Sequence, residues 1–163
     1  MKILSKLSEL NIPYELFEHE PFFTCEDSES FYTGKDGGDS KNLFLRDRKG
    51  NQHYLVVLEA HKRLDLKAFS QSMDERFSFA SPERLMKWLG VTPGAVSPLS
   101  LLHDEENHVI VYVDEDLLKF DWLYYHPGQN DQTVKLSREG FEKYLNSIGN
   151  EWESITVPTA PTE

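Results

Sequence analysis

Lys41 and Asn42 stand at the mouth of an otherwise apolar strand, in the run Lys41-Asn42-Leu43-Phe44-Leu45-Arg46-Asp47. An ammonium there can stabilise negative charge developing on a carbonyl oxygen, or clamp a phosphate, and the neighbouring amide can donate and accept hydrogen bonds at once. A second stretch with chemical potential is Thr92-Pro93-Gly94-Ala95-Val96-Ser97-Pro98-Leu99, a loop of small residues fenced by two prolines. Gly94 is open to backbone angles closed to other residues, and the prolines donate nothing, which leaves the amides of Ala95, Val96 and Ser97 to meet a ligand. The same loop also reads as an ordinary connection between a helix and a strand.

Other chemistries find little support. The six histidines contain no His-x-x-x-His pair, and one cysteine completes no familiar zinc spacing with them, so neither metal nor cofactor is expected. There is no Gly-x-Ser-x-Gly elbow, phosphate loop or dinucleotide fingerprint. Cys25 with a distant histidine would make a nucleophilic pair, but beside Phe22 and Phe23 it also reads as a small buried hydrophobe. The acid runs Glu105-Glu106 and Asp114-Glu115-Asp116 suit solvated turns and helix starts better than acid–base work. No strong side-chain base is evident.

The elements that must carry Lys41 follow from periodicity. Leu43 and Leu45 alternate with Phe44 and Arg46, Arg48-Lys49-Gly50-Asn51 reads as a tight turn, and Tyr54-Leu55-Val56-Val57-Leu58 resumes as a strand, giving a β-hairpin whose first strand is expected to be central. Before it, Ile3, Leu4, Leu7 and Leu10 recur at helical spacing up to Asn11, residues 14–19 read as a strand, and Thr24 opens a capping box for a helix over 25–32. A glycine-rich loop then leads into Lys41. Beyond the hairpin we expect a helix over 65–73, a strand over 76–80, and a helix with Ser81 as cap, Pro82 in its first turn and Gly90 as its stop. A strand over 109–113, a short helix over 114–120, a strand over 122–125, a turn at Pro127-Gly128-Gln129-Asn130, a helix from the Ser137 cap to Ile148, and an edge strand over 152–157 complete the reading. The fold class is α/β (α+β): one domain over 1–157 with a mixed, mostly antiparallel sheet flanked by helices, and a frayed tail over 158–163.

Composition bounds the answer. A chain of 163 residues with 39% hydrophobic content buries one sizeable core. Its apolar runs are too short to span a bilayer and its first residues lack the apolar segment of a signal peptide, so we expect a soluble cytoplasmic protein without membrane partners. The net charge of −11 taken alone argues against an RNA partner, since phosphate contacts need lysine and arginine, and no DNA partner is expected. Residues 35–87 nevertheless carry eleven Lys/Arg against eight Asp/Glu, a balance of +3 that leaves −14 for the rest. A basic face on an acidic body suits a local contact with a nucleic-acid end while repelling non-specific binding; surface charge scattered on helices explains the balance equally well.

Taken in order, the Lys41 run, the strand after it, Ser78-Phe79-Ala80-Ser81, the stretch from Leu89 through Gly94 and Pro98 to Leu99, and His126-Pro127-Gly128-Gln129-Asn130 resemble the prolyl-tRNA editing domain family (YbaK-like), over residues 7–149. Within it the chain looks most like free-standing deacylases that clear alanine mischarged onto proline tRNA. The resemblance implies hydrolysis of an aminoacyl ester without metal, with Lys41 catalytic and the loop Gly94, Ala95, Val96, Ser97 and Pro98 walling the aminoacyl group and terminal adenosine. It further implies Asn42 and His126 as substrate contacts, a ribose hydroxyl of the substrate that helps to activate water, and tRNA with prolyl-tRNA synthetase as partners. Tyr32, Phe44 and Tyr125 are candidates to line the pocket. His103 departs from the Leu-Leu-Asn-Asp of relatives. Cysteinyl-tRNA hydrolysis by the same fold, a binding module without hydrolysis, and an accessory protein of amino-acid metabolism stay open beside the alanyl reading.

Overall fold

The computed structural model describes residues 2–22, 27 and 31–161. The expected cap at Thr24, most of the helix expected over 25–32, and Cys25 lie outside the described residues.

Helix α1 (Lys2–Glu9) seats Ile3 and Leu7 in the core and ends at Asn11, whose φ of 58° reverses the chain into β1 (Tyr14–Glu18). The hairpin forms as expected, from β2 (Ser40–Arg46) and β3 (His53–Glu59) in antiparallel register with Lys41 opposite Leu58. Asp47 holds its turn by accepting the amides of Asn51 at 2.8 Å and Gln52 at 3.2 Å. Helix α2 (Leu66–Ser72) is capped by Asp65 and leads to β4 (Ser78–Phe79). Helix α3 (Pro82–Leu89) has the Ser81 cap, the proline start and the left-handed Gly90 stop that the sequence predicts. After it come 3₁₀ turns at Pro93–Ala95 and Pro98–His103, then β5 (Ile110–Asp114), β6 (Trp122–Tyr125), β7 (Gln132–Ser137), α4 (Arg138–Ile148) and β8 (Trp152–Ile155). The helix expected over 114–120 is a single 3₁₀ turn, Leu117–Lys119.

The strands divide into two sheets. One is mixed, in the order β4-β2-β3-β5-β8, and the other is the antiparallel trio β1-β7-β6. The central strand of the larger sheet is β3 rather than β2: it pairs antiparallel with β2 and parallel with β5, and His53 to Leu58 are all buried. Burial on both faces explains its uninterrupted apolar run. Strand β7 was not anticipated; it carries the smaller sheet by pairing β1 on one side and β6 on the other. The larger cluster of buried apolar side chains fills the space between sheets and helices, and a smaller one around Phe69 and Phe77 packs α2.

Gly38 joins the two sheets. Its amide donates to the Trp122 carbonyl at 2.8 Å and its carbonyl accepts the Tyr124 amide at 3.3 Å. A Cβ at this position would stand 2.6 Å from the Phe120 ring, so a side chain has no room. Within the tail expected over 158–163, the Ala160 amide donates to the Arg63 carbonyl at 2.8 Å and the Pro158 carbonyl accepts the Asp65 amide at 3.0 Å. Among the described residues no helix is long and apolar enough to cross a membrane.

Candidate active site

The N-terminal half of β2 is an open sheet edge. Strand β4 pairs only with Leu45 and Arg46, and the next contact along that edge is the Ala80 amide on the Phe44 carbonyl. In an antiparallel strand successive residues turn their backbone groups to opposite sides. Gly38 and Phe44 use the outer side, so the backbone N–H and C=O of Ser40 and Asn42 between them face outward as well. A cavity of about 370 Å³ opens there, between β2 and the second sheet.

Ser40, Lys41 and Asn42 from β2, Tyr124 and Tyr125 from β6, His126 just beyond it, and Phe22, Tyr32, Asp39, Ala60 and His61 line this cavity. Lys41, Asn42, Tyr32, Tyr125 and His126, chosen from sequence, are thus brought together. Phe44 is not among them; it is buried and stacks on His53, ring centres 5.4 Å apart.

Lys41 is exposed, and its Nζ donates to the Lys62 carbonyl at 2.7 Å. That carbonyl is itself held in place: the Lys62 ammonium bridges the fully buried Asp114 at 2.9 Å and Asp116 at 2.6 Å. Asp114 also accepts the amides of Glu59 and Asp116, both at 3.0 Å. One buried carboxylate therefore fixes the end of β3 and the turn after it, and through them the lysine.

His126 has a defined tautomer. Its Nδ1 donates to the Gln132 carbonyl at 2.7 Å, which leaves Nε2 as the acceptor nitrogen. Burial holds the ring below the usual imidazole range, so it is neutral at pH 7. The proline-fenced loop acts here from behind: the Ser97 hydroxyl donates to the His126 carbonyl at 2.7 Å, and a Cβ on Gly94 would sit 3.3 Å from Asn130 Nδ2. None of Gly94, Ala95, Val96, Ser97 and Pro98 lines the cavity, and the Ala95 amide is occupied by the Thr92 carbonyl at 3.0 Å.

Three polar atoms at this cavity, Ser40 Oγ, Asn42 Oδ1 and the Tyr125 hydroxyl, are buried without a hydrogen-bond partner among the described residues. Such groups carry a desolvation cost that a ligand can relieve. Burial keeps the Tyr32 and Tyr125 phenols protonated far above neutrality.

Sequence reasoning missed Asp39. Its carboxylate accepts the Ser40 amide at 2.8 Å, interacts with the Tyr32 hydroxyl, and is pushed by burial up to about 6. A carboxyl with so raised a pKa, set in a cleft between two cavities, is a candidate functional group. Among the described residues no three His, Cys, Asp or Glu side chains gather as metal ligands.

The family model of the aminoacyl-tRNA editing domain matches residues 19–144, which span every one of these cavity-lining residues. The chain is 42% identical over 156 residues to the prolyl-tRNA editing protein ProX of Acetoanaerobium sticklandii, covering 95% of each. Its fold matches that of the hypothetical protein APE2540 with a TM-score of 0.76 at 18% identity, covering 96% of this chain and 99% of the other. A candidate trans-editing enzyme for prolyl tRNA synthetase matches with a TM-score of 0.73, also at 18% identity, over 98% and 94% of the two chains. The chain belongs to the aminoacyl-tRNA editing domain family.

Proposed function

We propose that this chain is a trans-editing deacylase that hydrolyses the ester of alanine mischarged onto proline tRNA, in the cytoplasm and without a metal. Hydrolytic editing follows from the family; the substrate, the metal independence and the residue roles are our reading. The observation that carries it is the convergence of one ammonium, one amide side chain and one neutral imidazole acceptor on a cavity walled by aromatic rings.

Water attacks the ester carbonyl, the carbonyl oxygen takes up negative charge, and the ribose oxygen leaves with a proton. In this reading the Lys41 ammonium stabilises that oxyanion, or holds the terminal phosphate, from a position set in advance by the Lys62 carbonyl. His126 Nε2 accepts a hydrogen bond from the ribose hydroxyl or the attacking water, and the Asn42 side chain contacts the adenosine. The proline-fenced loop contributes by holding His126 through Ser97. A synthetase pocket built for proline discriminates weakly against alanine, because missing apolar groups are worth only about 1–3 kcal/mol. A second site too small for proline supplies the missing selectivity, and prolyl-tRNA synthetase is the natural partner in the cell.

Single-turnover deacylation of alanyl-, cysteinyl- and prolyl-tRNA bearing the proline anticodon, with and without chelator, tests this. Loss of alanine alone, indifferent to chelator, is the expected result. Cleavage of the cysteinyl ester instead would replace the substrate, inhibition by chelator would remove the metal-free mechanism, and survival of every ester would reduce the chain to a binding module.

A further inference from the structure

The mechanism above leaves Asp39 without a task, yet this carboxylate occupies the junction of two cavities. The site cavity of about 370 Å³ and an adjoining one of about 550 Å³ share Tyr32, Asp39, His61 and Tyr124. No lysine or arginine among the described residues forms an ion pair with Asp39. Lys41, the nearest in sequence, is turned to the Lys62 carbonyl, to which it donates one of its three N–H groups. What surrounds the acid is aromatic: Tyr32 and Tyr124 meet edge to face at 5.1 Å, and Phe22 meets Tyr32 at 6.3 Å. A carboxylate set among ring faces, beside outward-facing backbone carbonyls of a strand edge, is the chemistry that receives a primary ammonium.

We propose that Asp39 determines specificity by receiving the α-ammonium of the aminoacyl group, so that the site takes esters with a free amino group and rejects N-acylated ones. The proposal rests on the deacylase reading, since it names the part of that substrate which meets Asp39. It gives the half-buried acid a function: the cation offsets the desolvation of the carboxylate when substrate enters, and the carboxylate orients the ester carbonyl toward Lys41. The groups facing Asp39 are Tyr32, the Ser40 amide, Glu59 and His61 from the end of β3 and the turn after it, and Tyr125 from β6. Of these only Glu59 competes for the cation, and its carboxylate is bonded to His61 at 2.7 Å. The carboxylate titrates at about 6, and α-amino groups titrate at about 7.7–8.0, so the preference for a free amino group should be greatest between those limits and fade as pH falls through 6.

The test uses the intact protein with two probes that cannot be hydrolysed, 3′-deoxy-3′-(L-alanylamino)adenosine and its N-acetyl derivative, alongside alanyl- and N-acetyl-alanyl-tRNA. Charge-assisted pairs of this kind are worth about ten- to a hundredfold in affinity. The wild type should bind the free amine tighter than the N-acetyl probe by that factor at pH 7, and Asp39→Asn should erase the difference by weakening the amine alone. Thermal melts confirm that the variant is folded. Equal binding of both probes by the wild type, or a preference that persists in Asp39→Asn, overturns the proposal. A binding preference without hydrolysis of either ester keeps the proposal and removes the deacylase reading; hydrolysis of both esters at one rate does the reverse.

Discussion

Asp114→Asn is the substitution that best probes how the fold serves Lys41. The native carboxylate is fully buried and spends its two oxygens on three donors: the Glu59 amide, the Asp116 amide and the Lys62 ammonium. An asparagine of the same shape keeps one oxygen and turns an NH₂ toward a backbone N–H, which leaves that buried amide unpaired at a cost of about 1–3 kcal/mol. The Lys62 ammonium loses its buried partner but keeps the half-exposed Asp116 at 2.6 Å, so this part is smaller than the full cost of breaking a buried pair. Together these losses come to about 3 kcal/mol, which for a chain of 163 residues lowers the melting temperature by roughly 6–12 °C. The Lys62 carbonyl is carried on the same turn, so Lys41 loses its fixed position. Displacement of a catalytic group by about 1 Å can cost up to a hundredfold in rate, so single-turnover kcat should fall at least about tenfold at a temperature where the variant is folded. Differential scanning calorimetry and single-turnover deacylation at 20 °C read the two effects. A variant that melts within about 2 °C of wild type, or one that loses the stability but keeps its rate, would refute the chain of contacts from Asp114 to Lys41.

Other substitutions probe neighbouring parts of the site. Asp39 has its pKa raised from 3.8 to about 6, so its charge costs the folded state about 3 kcal/mol above pH 6 and nothing below pH 4. Asp39→Asn is therefore expected to be more stable than wild type by up to that amount at pH 8, the gain vanishing as pH falls from 6 to 4; urea denaturation at both pH values checks it. Ser97→Ala removes the donor to the half-buried His126 carbonyl and the acceptor of the buried Leu99 amide at 3.0 Å. A loss of about 2 kcal/mol and a severalfold lower deacylation rate should follow. Gly38→Ala pushes a methyl group into the Phe120 ring at the point where the sheets join, and the denaturation midpoint should report a cost of about 1–3 kcal/mol.

What the sequence made legible were features whose cause is local. The Ser81 cap, the proline start and the Gly90 stop of α3 are encoded within a few residues, and so is the turn that registers Lys41 opposite Leu58. Strand β7 escaped notice because it runs directly into the Ser137 cap with no turn between, although the buried Val134 and Leu136 flank the half-buried Lys135 on the opposite face, as a strand requires. Asp39 escaped for a different reason. In its glycine-rich stretch nothing local separates it from Asp36, yet Asp36 is exposed and pairs with Lys135 at 2.7 Å. Asp39 is half-buried because β6 docks on Gly38, a contact between residues far apart in the chain. The Gly94 loop shows the same limit. Its stiffness is written in its prolines, but which side of His126 it packs against is decided by Ser97 and Asn130, and sequence spacing does not express that.

The central claim is that Lys41 supplies the charge that hydrolysis requires. The most direct measurement is the single-turnover rate of alanyl-tRNA deacylation by Lys41→Ala beside the wild type, with binding of the non-hydrolysable alanylamino-adenosine measured in parallel. Stabilisation of an oxyanion by one donor is worth about 10²–10³ in rate. The account predicts a loss of at least that size while the variant stays folded and still binds the analogue within about tenfold. A variant that deacylates alanyl-tRNA at the wild-type rate would contradict it.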